Sequence, residues 1–334
     1  MRPTTGTPAG LTLRIRPATD RDADRIAHVS RAVFPQYAET AEEIRTSDGR
    51  LHAGGYASVR ALAETADGDV VGHYRFQHMP EQFRAWRYRL TILVHPAWRR
   101  QGVGRALYDH ALASLREYGA TEVESFAWEA MPEAMAFLER RGFREVLRNW
   151  ELRLDLRRFD PAPFEVYRQR VQAAGVRIVT LAEERVRDPN ALRRAYDLHN
   201  AVVADIPAPI PFTPPTFEHF LASRVDSPRA LPDAYFLAKV EDAYVGEANL
   251  ERPPQGTHLS HNVTGVLPGF RGRGIAMALK LATIAYGGSR GYTEIRTWNA
   301  THNVGMLVIN ERLGFVRQPA WITYEKTLAP GAAA

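Results

Sequence analysis

The chain has 334 residues, enough for about two domains that each bury their own core. It contains no cysteine, which excludes disulfide frameworks, thiolate zinc sites and cysteine nucleophiles. The net charge is +5 at pH 7, and arginine supplies nearly all of the positive charge. Because these arginines are interspersed with acidic residues, no nucleic-acid partner is predicted, and a small anionic ligand explains the excess equally well.

No apolar run reaches the roughly 18 residues that a membrane-spanning helix needs. The N-terminal segment 1–17 lacks the apolar centre of a secretion signal. The sequence therefore predicts a soluble, cytoplasmic protein without a membrane partner. No metal site is predicted.

In chain order, the first half opens with a predicted strand in 11–19, followed by helical stretches and a turn with a strand in 67–76. The β-branched segment 91–94 predicts a further strand. A glycine-bearing loop follows it, and then an apolar stripe at helical spacing, formed by Val103, Ala106, Leu107, Ala111 and Leu115. This helix is expected to end near Gly119, before an extended segment at 121–128 and a shorter helix that ends near Gly142.

Two prolines in 157–175 end the last predicted strand of the first half, 151–156. Phe164, Tyr167 and Val171 lie at helical spacing after these prolines and predict a short packed helix. The second half then repeats the pattern, and its strand at 263–266 leads into a helix that begins at Ile275. We predict an α+β protein with a mixed sheet in each half, and domains at 11–157 and 176–328 joined by a linker at 158–175.

The two halves contain the same unit. Sliding the sequence against itself by 172 residues aligns 94–143 with 266–315 without a gap, and 14 of the 50 positions are identical. The identities cluster around Gly102/Gly274 and around the pairs Gly142/Gly314 and Phe143/Phe315. A period this long indicates duplicated whole domains and not a solenoid of small repeats.

Both copies carry an R-x-x-G-x-(G/A) loop between a strand and a helix. In the first copy it begins at Arg99 and in the second at Arg271. Such a loop presents backbone N–H groups together with the positive end of the helix dipole, and its small residues let phosphate oxygens approach. The loops therefore predict two phosphate sites. A Walker loop would need a lysine and a hydroxyl that neither copy has, and a dinucleotide fingerprint would need glycine where Leu107 and Met277 stand.

This duplicated pattern resembles the GNAT superfamily of acetyltransferases, whose loop motif precedes a helix and is followed further on by L-G-F or a variant. The resemblance covers about fifty residues in each half and is stronger in the second, GVLPGFRGRGIAMALK with ERLGF. It implies two tandem acyl-CoA N-acyltransferase domains, each with a mixed, mostly antiparallel sheet flanked by helices. The tandem arrangement also resembles that of acetyltransferases built from two such domains.

The resemblance further implies that the loops hold the pyrophosphate of acetyl-CoA, the expected cofactor, and that a backbone N–H near Val94 or Val266 polarises the thioester carbonyl. The pantetheine arm would lie between splayed strands, near Asn299 and Asn303 in the second half. The expected cofactor residues of the first half are Val94, Arg99, Arg100, Gln101, Gly102, Val103, Gly104 and Arg105. Those of the second half are Val266, Arg271, Gly272, Arg273, Gly274, Ile275, Ala276, Asn299 and Asn303.

In many relatives a tyrosine four residues before the glycine of the Gly-Phe pair protonates the departing thiolate. Leu138 and Asn310 occupy that position here, and neither side chain is such an acid. Protonation by water or by the acceptor amine therefore stays open. Asn303 and Asn299 correspond to Met131 and Ala127 in the first copy, so the second half keeps more polar groups and is the preferred catalytic half.

Three residues are candidates for the general base. Glu247 lies on the strand before the cofactor strand, and His258 and His261 lie on or just before the cofactor strand. All three could instead belong to a solvated hairpin. Trp298 and Met306 are expected to be core residues. The proline-rich segment 205–220 is interpreted as a lid over a partly apolar acceptor pocket, or as an ordinary irregular connection.

The leading hypothesis is an enzyme that transfers acetyl from acetyl-CoA to a primary amine of a small molecule. The alternatives are a non-catalytic acyl-CoA-binding or sensing protein, which the missing tyrosines leave open, and a protein or peptide N-acetyltransferase. The sequence leaves the acceptor, the oligomeric state and any coupling between the halves open.

Overall fold

A computed structural model describes residues 11–253 and 256–328. The segments 1–10, 254–255 and 329–334 lie outside the described residues, and with them most of the N-terminal stretch in which no secretion signal is predicted. The described chain packs as two compact units. Unit 1 comprises 11–79, 83–125 and 325–328, and unit 2 comprises 80–82 and 126–324. No helix in the described ranges is long and apolar enough to cross a bilayer.

Unit 1 contains a sheet with the strand order β1-β2-β3-β4-β5. Its strands are β1 (Arg14–Pro17), β2 (Ser58–Glu64), β3 (Val70–Gln77), β4 (Arg87–Val94) and β5 (Glu122–Trp128), the last of which ends in unit 2. Its helices are α1 (Ala23–Val33), α2 (Ala41–Ala53) and α3 (Val103–Glu117). Neighbouring strands are antiparallel except β4 and β5, which are parallel.

Unit 2 contains a sheet with the strand order β6-β11-β10-β9-β8-β7, and the short β12 also pairs with β6. Its strands are β6 (Arg144–Asp155), β7 (Val176–Thr180), β8 (Ala230–Val240), β9 (Ala243–Glu251), β10 (His258–Val266), β11 (Glu294–Ala300) and β12 (Val316–Arg317); β13 (Trp321–Thr327) begins in this unit. Its helices are α4 (Pro132–Glu139), α5 (Glu165–Ala173), α6 (Leu181–Arg187), α7 (Ala191–Val203), α8 (Phe217–Phe220), α9 (Ile275–Ser289) and α10 (Val304–Arg312). A π-helical turn, Leu221–Val225, follows α8.

The predicted α+β class with mixed sheets is confirmed. β10 and β11 are parallel, whereas the other neighbours in the unit 2 sheet are antiparallel. The apolar stripe of α3 is buried at Val103, Leu107, Ala111 and Leu115, as its spacing predicts. The glycines expected to close the helices have positive φ and lie just beyond them, at Gly119, Gly142, Gly291 and Gly314.

The strand β6 comes from the first half of the sequence, but its residues 149–155 pair with β11 of the second. Leu154 faces Ile295 in this register, and both side chains are buried. They belong to a core that also contains Leu259 of β10 and Leu281 of α9. The apolar residues of β6 therefore help to hold the two parallel strands between which the candidate site lies.

Candidate active site

The two predicted phosphate loops have the same backbone conformation. Each strand, β4 or β10, leads through a short 3-10 turn, Pro96–Trp98 or Pro268–Phe270, into the loop. The third residue before each helix has φ of 64° at Arg100 and 75° at Gly272, and the residue immediately before the helix has φ of 88° at Gly102 and 85° at Gly274. These positive values turn the chain so that the first amides of α3 and α9 face outward as an anion cradle.

The first arginine of each motif braces the cradle against the preceding strand. Nε of Arg271 donates to the carbonyl of Val266 at 2.9 Å, and Nε of Arg99 lies 3.4 Å from the carbonyl of Val94. The rest of the Arg271 guanidinium forms an ion pair with Asp205 at 2.6 Å. Both partners are about half exposed, so this guanidinium is accessible to a competing anion.

The parallel strands next to each cradle separate. β10 pairs with β11 only over 258–260 and 294–296, and β4 pairs with β5 only over 87–89 and 122–124. A register shift between His261 and Thr264 bends β10 where it leaves β11. The N–H of Leu267 donates to Val245 on β9, so the N–H of the preceding Val266 points to the opposite side, into the gap between the strands.

A cavity of about 790 Å³ extends from the second cradle. The cradle contributes Arg271, Gly272, Gly274, Ile275 and Ala276 to its wall, together with Val266 of β10 and Asn303 before α10. Arg170 of α5 and Arg312 of α10 add positive charge that no sequence motif indicates, and Asp205 is the only carboxylate among the described residues of the lining. Such a surface suits an elongated anionic ligand.

A smaller cavity of about 130 Å³ lies between the separated strands. It shares Ile206, Pro207, Thr264, Asn303 and Met306 with the larger cavity, and Asn299 and His261 also line it. The start of the predicted lid segment therefore borders both cavities, whereas its Phe220 is buried in the core beside Tyr196. The expectation that Trp298 and Met306 are core residues is wrong. Both are only partly buried, and both line the small cavity.

His261 is the one base candidate that borders a cavity. Its Nε2 lies 3.0 Å from Oγ1 of Thr283, and its Nδ1 lies 3.1 Å from Oγ1 of Thr264. The Thr283 hydroxyl donates to the carbonyl of Lys280, so it accepts from Nε2–H, and Nδ1 is left to accept from Thr264. Burial, followed by the charge of Lys280, holds the pKa of His261 well below its usual range, so the ring is neutral.

Glu247 and His258 line neither cavity. Glu247 is fully buried on β9, where it accepts hydrogen bonds from Nδ1 of His199 at 2.9 Å and from the Tyr235 hydroxyl. His258 is half-buried at the start of β10, and burial together with the Arg296 guanidinium lowers its pKa to about 4. Neither location brings the side chain to the gap between β10 and β11.

A polar cluster extends from the buried pair Glu247 and His199 to the partly exposed Glu81 and Arg224, and it was not found from the sequence. Nε2 of His199 lies 4.0 Å from Glu81, which in turn pairs with Arg224 at 2.7 Å. These residues are distant in sequence and carry no motif, so only the fold brings them together. Burial lowers the pKa of His199, but the Glu247 carboxylate and the hydrogen bonds outweigh it and raise the pKa to about 9.

Two asparagines anticipated near the pantetheine arm are linked to the last helix. Asn303 caps α10, its Oδ1 accepting from the N–H of Met306 at 3.4 Å. Asn299 accepts from Nδ2 of Asn310 at 2.6 Å, and Asn310 is the residue at the position of the usual tyrosine. Lys280 of α9 also borders the small cavity, although no sequence motif marks it as a site residue.

An amide cradle at a helix N-terminus that opens into a gap between parallel strands is the kind of site that suits a long phosphate-bearing ligand. The model of the acetyltransferase (GNAT) family matches residues 24–143 and 198–315. The chain therefore belongs to the acetyltransferase (GNAT) family, with two tandem domains, and is an N-acetyltransferase, as the sequence predicts.

Similar proteins match along nearly the whole chain. A protein of Salinispora tropica named mycothiol acetyltransferase is 27% identical over 328 residues, covering 92% of this chain and 99% of that protein. One of Geodermatophilus obscurus with the same name is 27% identical over 284 residues, covering 83% and 85%. Among solved structures, the tandem GNAT protein from the clavulanic acid biosynthesis pathway has a TM-score of 0.72 at 20% identity, covering 96% of this chain and 100% of that one. That similarity shows the fold.

Proposed function

We propose that this protein transfers the acetyl group of acetyl-CoA to a primary amine of a small molecule, and that unit 2 performs the transfer. The observation that carries the proposal is the continuity of the two cavities. The cradle and three arginines line the larger cavity. This cavity shares lining residues with the smaller one, which lies in the gap between β10 and β11. The diphosphate would lie on the cradle and the thioester in the gap.

The residues of the second half fit the coenzyme. The space beside Gly272 and Gly274 is empty, because a Cβ added at either glycine would meet no atom closer than 3.7 Å. The loop amides are therefore open to a ligand. Arg170, Arg271 and Arg312 would neutralise phosphate charge. The N–H of Val266 would donate to the carbonyl oxygen as negative charge develops on it. Names of the relatives, which are called mycothiol acetyltransferases, support a small-molecule amine as the acceptor.

The acceptor amine, with a pKa of about 10, must lose a proton before it attacks. His261 is the best-placed group for this, because its neutral ring accepts from the Thr264 hydroxyl and Thr264 lines both cavities. A proton from the amine would pass to Thr264 as that hydroxyl gives its own proton to Nδ1. Glu247 and His258 would contribute only to the stability of unit 2.

The proposal is tested by thiol release from acetyl-CoA across a panel of small primary amines, including amino sugars. Detection with a thiol reagent is free of protein background because the chain contains no cysteine. We expect at least one amine to stimulate release and to yield an N-acetyl product by mass spectrometry. Binding of CoA without release stimulated by any amine would favour a sensor, and stimulation only by peptides would favour protein acetylation.

A further inference from the structure

A buried lysine lies behind the gap between the separated strands of unit 2. Lys280 belongs to α9, and only 1% of the residue is exposed. Lysine is almost never buried without a partner, because removing an ammonium group from water is costly. Among the described residues its Nζ forms no hydrogen bond or ion pair, and its contact of note is the Phe315 ring, whose centroid is 5.2 Å away.

Lys280 lies next to a second ionisable side chain at the edge of a cavity, as groups that transfer protons commonly do. It borders the small cavity together with His261, and these two are the only ionisable residues in the described part of the lining. His261 faces it from β10, the described residues of β11 contribute no charged side chain to the cavity, and the helix α10 contributes Met306. Burial lowers the pKa of Lys280 to about 7, so both protonation states are populated near neutral pH.

The usual proton donor is missing from the second half of the chain. Asn310 stands where many relatives have a tyrosine, and Oδ1 of Asn310 is buried without a hydrogen-bond partner among the described residues. Phe315, which the Lys280 ammonium approaches, lies five residues after Asn310 on the segment that follows α10. The N–H of Phe315 donates to the carbonyl of Asn310 at 3.0 Å, so Lys280 packs against a residue hydrogen-bonded directly to the position of the absent tyrosine.

We propose that Lys280 protonates the departing sulfur of CoA. This inference rests on the proposed function. As the acceptor nitrogen bonds to the thioester carbonyl carbon, the C–S bond breaks and its electron pair goes to sulfur, which takes a proton from Nζ. The acceptor nitrogen gives up two protons: the first passes through Thr264 to His261 before attack and then leaves to water, and the second, released after the C–N bond forms, restores the Lys280 ammonium. Transfer is downhill, because a CoA-type thiol has a pKa of about 8.5.

Nuclear magnetic resonance tests the contact directly, since the chain has only three lysines, Lys239, Lys280 and Lys326. Protein labelled with ¹³C in the lysine side chains gives three Cε signals, and Lys280→Met assigns one by its loss. We expect the Lys280 signal to titrate near pH 7 and to shift when CoA binds but not when desulfo-CoA binds. Equal shifts with both ligands, or titration near pH 10, would overturn the proposal.

Kinetics with two donors provides the second readout. Lys280→Met should lower kcat with acetyl-CoA about 100-fold. With acetyl-seleno-CoA, whose selenolate needs no proton to depart, the loss should be only a few-fold. Lys326→Met is the matched control and should change neither rate. A similar loss with both donors would show that Lys280 only supports the fold.

Failure of this inference differs from failure of the proposed function. If calorimetry shows that CoA binds the second cradle but its sulfur leaves the Lys280 signal unchanged, only the role of Lys280 is wrong. If neither CoA nor desulfo-CoA binds there, both proposals are overturned.

Discussion

Nδ1 of His199 lies 2.9 Å from Oε1 of Glu247, and both side chains are withdrawn from solvent. The pair joins α7 to the centre of β9. Because the folded pKa of His199, about 9, exceeds the usual 6.5, the protonated ring stabilises the folded state. This stabilisation is present in full below pH 6.5 and is lost as the pH rises through 9.

We expect His199→Gln to lower the free energy of unfolding by about 3–5 kcal/mol at pH 6, because it leaves the Glu247 carboxylate buried without its cation. The difference from wild type should shrink by pH 9.5, where most of the wild-type rings are also neutral. Urea denaturation at both pH values measures this, with exposed His302→Gln as the control. A loss of the same size at both pH values would show that the ring acts only by packing.

His261 borders the small cavity, and this position leads to a second prediction. His261→Gln should lower kcat about 100-fold, since the relay through Thr264 is lost, and the Kd for CoA should change little. His258→Gln, on the same strand but away from both cavities, should retain kcat within about twofold. Steady-state rates and calorimetry give both quantities. The opposite ranking of the two variants would assign the base to His258.

The duplicated glycines allow a matched comparison of the two cradles. Gly274→Val and Gly102→Val each force a β-branched residue to a φ near 85–88°, which strains the loop and turns the amides away. We expect Gly274→Val to reduce amine-stimulated thiol release at least 100-fold and Gly102→Val to leave it nearly intact. Loss of release in the Gly102 variant alone would place the chemistry in unit 1.

In the proposed complex, the ion pair between Arg271 and Asp205 would compete with the coenzyme for the same guanidinium. Asp205→Asn should tighten CoA binding about two- to fivefold, because an exposed pair of this kind is worth roughly 0.2–1 kcal/mol. The gain should fade in high salt. Calorimetry at two salt concentrations measures it. Weaker binding in the variant would mean that Asp205 positions the arginine for the phosphates.

The local parts of this molecule were predictable from its sequence. Gly102 and Gly274 mark the loops because only a residue without a side chain adopts their φ easily, and the helix stripes follow from burial at a fixed period. Each of these features is determined within about ten residues of chain. Their duplication made the prediction of two GNAT domains possible.

The long-range parts were not predictable. Pairing of β6 with β11 joins residues 139 to 151 positions apart, and an apolar strand pattern does not specify its partner. Glu81 and Arg224 meet only in the folded unit. Lys280 gave one signal that was missed: it stands inside the apolar run 275–285, where a lysine is unusual unless it has a function or a partner.

A crystal structure of the full chain with acetyl-CoA tests the central claim most directly. We expect the diphosphate to accept hydrogen bonds from the amides of 272–276, and the thioester to lie between β10 and β11 with its carbonyl oxygen near the N–H of Val266. Coenzyme bound only at the cradle of unit 1, or away from both cradles, would contradict the assignment of acetyl transfer to unit 2.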